Sequence, residues 1–258
     1  MPTSRSLRQN TKPLILIVVL AALCVALSAV PASLVRRFLP PFISAEDFSG
    51  SLWHGSAGKF TVNGRDAGAL EWHLHPAALL FLRLSADLHW VKVGFVLDGS
   101  ADIDRRGIKA RNIQGGGPIE DLAGLGVANG WHGVSAFKFD ELQIDLTRGP
   151  AAGAVLRSAV GDLTVADLAA PQIANGVDLG GYALHVAGAA AELTDTGGPL
   201  ELQATIQYSA KDRTAMLSGT LKERPDAPPA LRSQLENLSQ LHARDAQGRI
   251  PVDLEFTL

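Results

Sequence analysis

A period of two limits what this chain can fold into more than any other feature of its sequence. From Gly50 onward, short runs alternate apolar and polar residues between turn residues. Gly58-Lys59-Phe60-Thr61-Val62, Ala69-Leu70-Glu71-Trp72-His73-Leu74 and Leu84-Ser85-Ala86-Asp87-Leu88-His89-Trp90-Val91 are such runs in the first half. In the second half they are Phe137 to Leu146, Leu200 to Tyr208 and Val252 to Phe256. Successive strand side chains point to opposite faces, so each run gains one apolar and one polar face. Turn signals about every ten residues favour antiparallel hairpins over βαβ units. The expected fold is mainly β: an antiparallel, curved and twisted sheet with one or two short helices. Two stretches carry helical spacing instead. Pro118 to Val127 has Ile119, Leu122 and Leu125. Pro229 to Leu241 has Leu231, Leu235, Leu238 and Leu241 on one face, expected to pack on the sheet.

The N-terminus has a different character. Leu14 to Val30 is seventeen residues without a charge and with one serine. As a helix from Pro13 it spans about 27 Å, the short end of what crosses a bilayer core. Arg5, Arg8 and Lys12 precede it with no acid among them, and Arg36 and Arg37 follow it. This bias gives a cytoplasmic N-terminus and an outward C-terminus, which in a cell with two membranes would be the inner membrane with the bulk of the chain in the periplasm. Cleavage as a signal peptide after Ala26-Leu27-Ser28 is the rival reading. The expected organisation is a cytoplasmic tail over 1–12, a transmembrane helix over 13–31, a tether over 32–48 and a β-rich domain over 49–258. A weak repeat, Trp53-His54-Gly55 against Trp131-His132-Gly133, suggests two related units with a seam near 115–130.

Charge and cysteine usage exclude several classes. The net charge is −3, and the basic tail leaves −6 for the remainder, which is not the footprint of a nucleic-acid binder. The single cysteine, Cys24, lies within the apolar run and reads as a small apolar filler. The domain beyond has no disulfide to use, and at over 200 residues its core suffices.

Four features together resemble one family, type II secretion system protein N of Gram-negative bacteria. The first is the short basic tail with a single apolar segment. The second is Phe48-Ser49-Gly50-Ser51-Leu52-Trp53-His54-Gly55-Ser56-Ala57, similar to the family's Gly-x-Leu-Trp-x-Gly-x-Ala stretch. The third is Leu70-Glu71-Trp72-His73-Leu74-His75-Pro76 followed by Leu79-Leu80, similar to its Trp-x-x-x-Pro strand end. The fourth is the C-terminal order: Leu217 to Lys222, Ala227-Pro228-Pro229-Ala230-Leu231, the leucine helix, then Gly248 to Leu254. The resemblance implies an accessory component of a machine that exports folded proteins across the outer membrane. Its implied partners are the inner-membrane platform and periplasmic components of that machine. It brings no catalytic residues. The Gly-Leu-Trp-Gly pattern also resembles AsmA-type envelope proteins, which implies the alternative of sheltering or transferring lipid on a curved sheet.

A search for chemistry finds little. His73 and His75 point the same way on one strand, but neither a cysteine nor a third nearby histidine completes a zinc set. Asp102-Ile103-Asp104-Arg105-Arg106-Gly107 begins like a calcium loop but has Arg106 and Ile113 at ligand positions, so it reads as a charged hairpin turn. Gly115-Gly116-Gly117-Pro118 lacks the Lys-Ser/Thr of a phosphate loop and reads as a hinge or turn. Gly55-Ser56-Ala57-Gly58 is out of register for a nucleophile elbow. No enzyme, cofactor, metal or catalytic residue is expected. Trp53, Gly55 and Trp72 are the candidate interaction residues: Trp53 is either a core anchor at a tight turn or an exposed contact point.

Overall fold

The computed structural model describes residues 30–37, 39, 43–125, 130–147, 153–173, 175–241 and 243–257. Among the described residues, thirteen strands form one antiparallel sheet whose spatial order is the order of the sequence. They are β1 (Ile43–Gly50), β2 (His54–Val62), β3 (Arg65–Leu74), β4 (Leu84–Lys92), β5 (Phe95–Ile103), β6 (Gly107–Pro118), β7 (His132–Thr147) and β8 (Gly153–Ala169). After them come β9 (Gly181–Gly188), β10 (Ala190–Gly197), β11 (Leu200–Ser209), β12 (Thr214–Glu223) and β13 (Ile250–Thr257). An α-helix, α1 (Pro229–Leu241), lies between β12 and β13. Every alternating run of the sequence lies in a strand.

The register turns the period of two into two continuous stripes. One cross-strand row runs Phe48, Ala57, Leu70, Trp90, Leu97, Gly115, Phe137, Leu163, Leu184, Leu193, Ala204, Gly219, Val252. Each strand contributes one residue, and none is polar. A neighbouring row starts at Ser49 and Ser56 and passes through Glu71, His89, Asp98, Gln114, Lys138, Asp162 and His185. It ends through Glu192, Thr205, Ser218 and Asp253, and none of its members is apolar. Thirteen strands spaced about 4.8 Å apart make a sheet roughly 58 Å wide with one apolar and one polar face.

Two buried clusters cover parts of the apolar face. In the first, Ala32, Ala45, Ala57 and Trp72 are buried, with Phe48, Leu70 and Leu88 packed against them. In the second, Leu231 and Leu235 of α1 pack with Leu179, Leu200 and Ile250, beside Trp131 and Tyr182. The leucine stripe of α1 therefore faces the sheet, as its spacing predicts. Pro229 at the first helical position suits a turn whose N–H has no partner.

Several expectations need correction. The stretch read as a tether is partly ordered into the fold: Ala32–Arg37 forms a 3-10 helix and Ile43–Phe48 belongs to β1. Its prolines hid a strand of only eight residues. Gly115-Gly116-Gly117-Pro118 is neither hinge nor turn. It lies in β6, paired with β7 in one unbroken register from Gly107 to Pro118, so the sheet does not divide there. A Cβ on Gly115 would sit 2.2 Å from the Val96 carbonyl, and one on Gly116 would sit 2.3 Å from the Ser135 carbonyl. The glycines thus permit a close approach of strands. The repeat is not structural. Trp53 precedes β2 and Trp131 precedes β7, and these two strands run in opposite directions in a sequential antiparallel sheet. The helical spacing expected from Pro118 is, by contrast, met by a 3-10 helix over Ile119–Leu125. Among the described residues no helix is long and apolar enough to cross a membrane; residues 14–29, with Cys24, lie outside them.

Candidate functional site

The Gly50-to-Gly55 stretch builds a clasp at one end of the sheet. Gly50 has φ +81°, and a Cβ there would meet the His54 carbonyl at 2.4 Å, so only glycine fits. Ser51 N–H donates to the His54 carbonyl at 2.8 Å, and His54 N–H donates to Ser51 Oγ at 3.1 Å. The next two residues tie separate parts together. Leu52 N–H donates to the Val30 carbonyl at 2.8 Å, and its own carbonyl accepts Trp72 Nε1–H at 2.9 Å. Leu74 N–H donates to the Trp53 carbonyl at 2.7 Å. Six residues thereby join the incoming chain, β1, β2 and β3.

The three candidate interaction residues come together in this clasp with different roles. Trp72 is 9% exposed, edge-to-face with Phe48 at 6.3 Å, and belongs to the core. Gly55 makes room for it: a Cβ there would stand 2.6 Å from both the Trp72 ring and the Ser51 carbonyl. Trp53 is half-buried and lines an apolar cavity of about 760 Å³ on the apolar face of β1–β5. Phe48, Leu74, Leu79 and Leu84 also line it, as do Val35 and Leu39 from the segment after Val30.

The opposite face at the same end is polar. His54 and His73 pair across β2 and β3, with rings 3.8 Å apart, and His75 follows His73 at 4.8 Å. His75 Nε2 donates to Asp87 at 2.9 Å, and His89 Nδ1 donates to Asp98 at 2.5 Å. A hollow of about 610 Å³ opens over His54, Glu71, His73, Asp87, His89 and Asp98. Sequence reasoning found no third histidine near His73 and His75; the register supplies His54. The missed signal is Asn63-Gly64, a two-residue hairpin turn with φ +52° and +74°, from which positions 54 and 73 are equidistant. The ring planes are tilted against one another by 39° and 32°, and among the described residues no group of three His, Cys, Asp or Glu is arranged to hold a metal ion.

The charged turn beginning at Asp102 is a hairpin turn, as its sequence predicts. Asp104 Oδ1 accepts the backbone N–H of Arg106 at 2.7 Å and of Gly107 at 3.2 Å, and these bonds hold its carboxyl below the ordinary value.

The family model for type II secretion system (T2SS), protein N, matches residues 41–253. The chain belongs to the type II secretion system protein N family. The match covers more than four fifths of the chain, starts two residues before β1 and ends within β13, so it coincides with the sheet. The clasp, the β3 end and the C-terminal order that carry the resemblance fall inside it, the last of them up to Asp253. The basic tail and apolar run precede it. No curated protein and no solved structure matches the chain significantly. Membership of the protein N family gives the chain an accessory role in type II secretion, in association with other components of that system.

Proposed function

We propose that the chain is a non-catalytic interaction protein of the type II secretion system, held at the inner membrane by residues 13–31 and presenting its sheet in the periplasm. In this reading the partners are platform and periplasmic components of the machine, and the sheet offers them an edge to pair with. The carrying observation is β13. No strand pairs with its outer edge among the described residues, and Leu254 and Phe256 on it are 48% and 45% exposed. An unpaired edge strand with exposed apolar side chains accepts another chain through backbone hydrogen bonds, with side-chain pockets adding selectivity. Confinement to the membrane surface raises its effective concentration for neighbours there. Of the residues expected to make contacts, Trp53 has surface to offer at the cavity, Trp72 lines it, and Gly55 makes room for the Trp72 ring.

The test is photocrosslinking in intact secreting cells, with the crosslinker at Phe256 or Trp53 of the full chain. Adducts with secretion components are expected from Phe256. Recovery of no secretion component from either position would sink the reading.

A further inference from the structure

The connection between β3 and β4 gathers exposed apolar side chains in consecutive positions, where the other exposed apolar residues of the domain stand singly or alternate with polar ones. Pro76–Phe81 forms a 3-10 helix, and Leu80, Phe81 and Leu82 are 84%, 78% and 71% exposed. Leu79 beside them is 44% exposed. Leu79 also lines the apolar cavity, but core packing does not account for Leu80, Phe81 and Leu82, and neither does turn geometry. Leu82 closes the helix in the left-handed conformation, φ +55°, with its N–H on the Leu79 carbonyl at 3.0 Å. Glycine or asparagine suits that position; a leucine there is strained.

The location of this tip gives it a partner. β3 ends at Leu74, at the end of the sheet where His54 pairs with His73. Pro31 bridges Ser51 and the Val30 carbonyl accepts Leu52 N–H at this same end. The apolar run Leu14–Val30 therefore joins the domain beside the tip. Charge fits too. Leu84 pairs with Ile103, which brings Arg83 to the β5–β6 turn with Arg105 and Arg106. The acids here are engaged: Asp104 by two backbone N–H groups, Asp102 by Arg111 and Asp87 by His75.

We propose that Leu79–Leu82 inserts into the interfacial layer of an anionic bilayer, with Arg83 and Arg106 at the headgroups. An apolar tip ringed by arginine is the chemistry of a membrane-surface contact, where burying apolar area and attracting anionic lipid act together. The proposal rests on reading Leu14–Val30 as a membrane anchor, and its test separates the two. The domain then stands on the bilayer by two points rather than swinging on one.

The test uses the full chain with Cys24→Ser and one new cysteine carrying an environment-sensitive fluorophore, reconstituted in phosphatidylcholine–phosphatidylglycerol vesicles. The sites are Phe81→Cys, Val93→Cys and Leu20→Cys. Val93 is 85% exposed in the β4–β5 turn at the other end of the sheet. The Phe81 site is expected to shift to the blue, to lose quenching by aqueous iodide and to gain quenching by spin-labelled lipid; the Val93 site is not. Iodide quenching at 81 equal to that at 93 overturns the proposal, whatever the Leu20 site reports. Lipid quenching at 20 with an aqueous 81 would leave the anchor standing and the tip refuted. Lipid quenching at 81 with an aqueous 20 would uphold the tip and remove the anchor. Efficient disulfide formation between unlabelled Phe81→Cys copies would assign the tip to a second copy and also overturn the proposal.

Discussion

Gly55 has no side chain because Trp72 occupies its space, so the smallest substitution there is disruptive. Gly55→Ala places a methyl 2.6 Å from the indole and from the Ser51 carbonyl. Overpacking of this kind is expected to destabilise by about 1–3 kcal/mol, read as a lower urea midpoint at unchanged slope. Tyr182 gives a second prediction. Its hydroxyl donates to the Leu179 carbonyl at 2.9 Å. Burial, aided by the Asp195 carboxylate, pushes its pKa from 10.0 up to about 12. The unfolded phenol therefore loses its proton before the folded one. The stabilisation is complete below pH 10.0 and disappears as the pH rises through about 12. Tyr182→Phe is expected to cost about 1 kcal/mol near neutrality, with the deficit shrinking in alkali. Denaturation curves at several pH values, with tyrosinate absorbance as a marker, check it. Neither residue's role was readable in the sequence. Gly55 stood out as part of a motif, but the ring it accommodates lies seventeen positions away and meets it only through the β2–β3 register.

At the scale of elements, the helix α1 is the clearest case of pattern dictating structure. Leu231 and Leu235 are 2% and 4% exposed, while Glu236 points to solvent. Leu235→Ala is expected to cost about 2–5 kcal/mol and Glu236→Ala close to nothing, compared by thermal or urea unfolding of the detergent-solubilised protein. Strand existence was equally legible, because a run such as Leu200 to Tyr208 satisfies one period and no other. What misled were residues whose usual meaning was local. Three glycines and a proline read as a turn at Gly115–Pro118, yet in β6 the missing side chains serve the approach of neighbouring strands. The prolines after Val30 read as a tether, yet the strand Ile43–Gly50 follows them. The exposed tip was partly visible: Leu79-Leu80-Phe81-Leu82 is four apolar residues in a row where alternation should resume after Pro76. That this run faces solvent is a tertiary fact, since a buried helix would have the same sequence pattern.

Across the whole molecule, the two faces of the sheet were implied by the alternation, but their continuity was not. Twelve successive pairings must each keep register for the row from Phe48 to Val252 to stay apolar, and a slip of one residue in any of them would reverse every strand beyond it. The inner strands are paired on both sides and the outer two on one, so stability should be graded. Amide hydrogen exchange is expected to be slowest in β6 to β8 and fastest along the outer edges of β1 and β13. Uniform protection through β13 would mean that this edge is already occupied. The order of the strands has a further consequence for how the chain comes to be built. Each strand needs only the one before it as a template, so the sheet can assemble vectorially as residues emerge from synthesis, without waiting for a distant C-terminal partner. Such nearest-neighbour growth keeps loop-closure entropy low and should make folding fast for an all-β protein of this size. It also leaves a raw strand edge at the growing front, which moves strand by strand until it comes to rest at β13, so a chaperone acting on this protein would find its target moving along the chain.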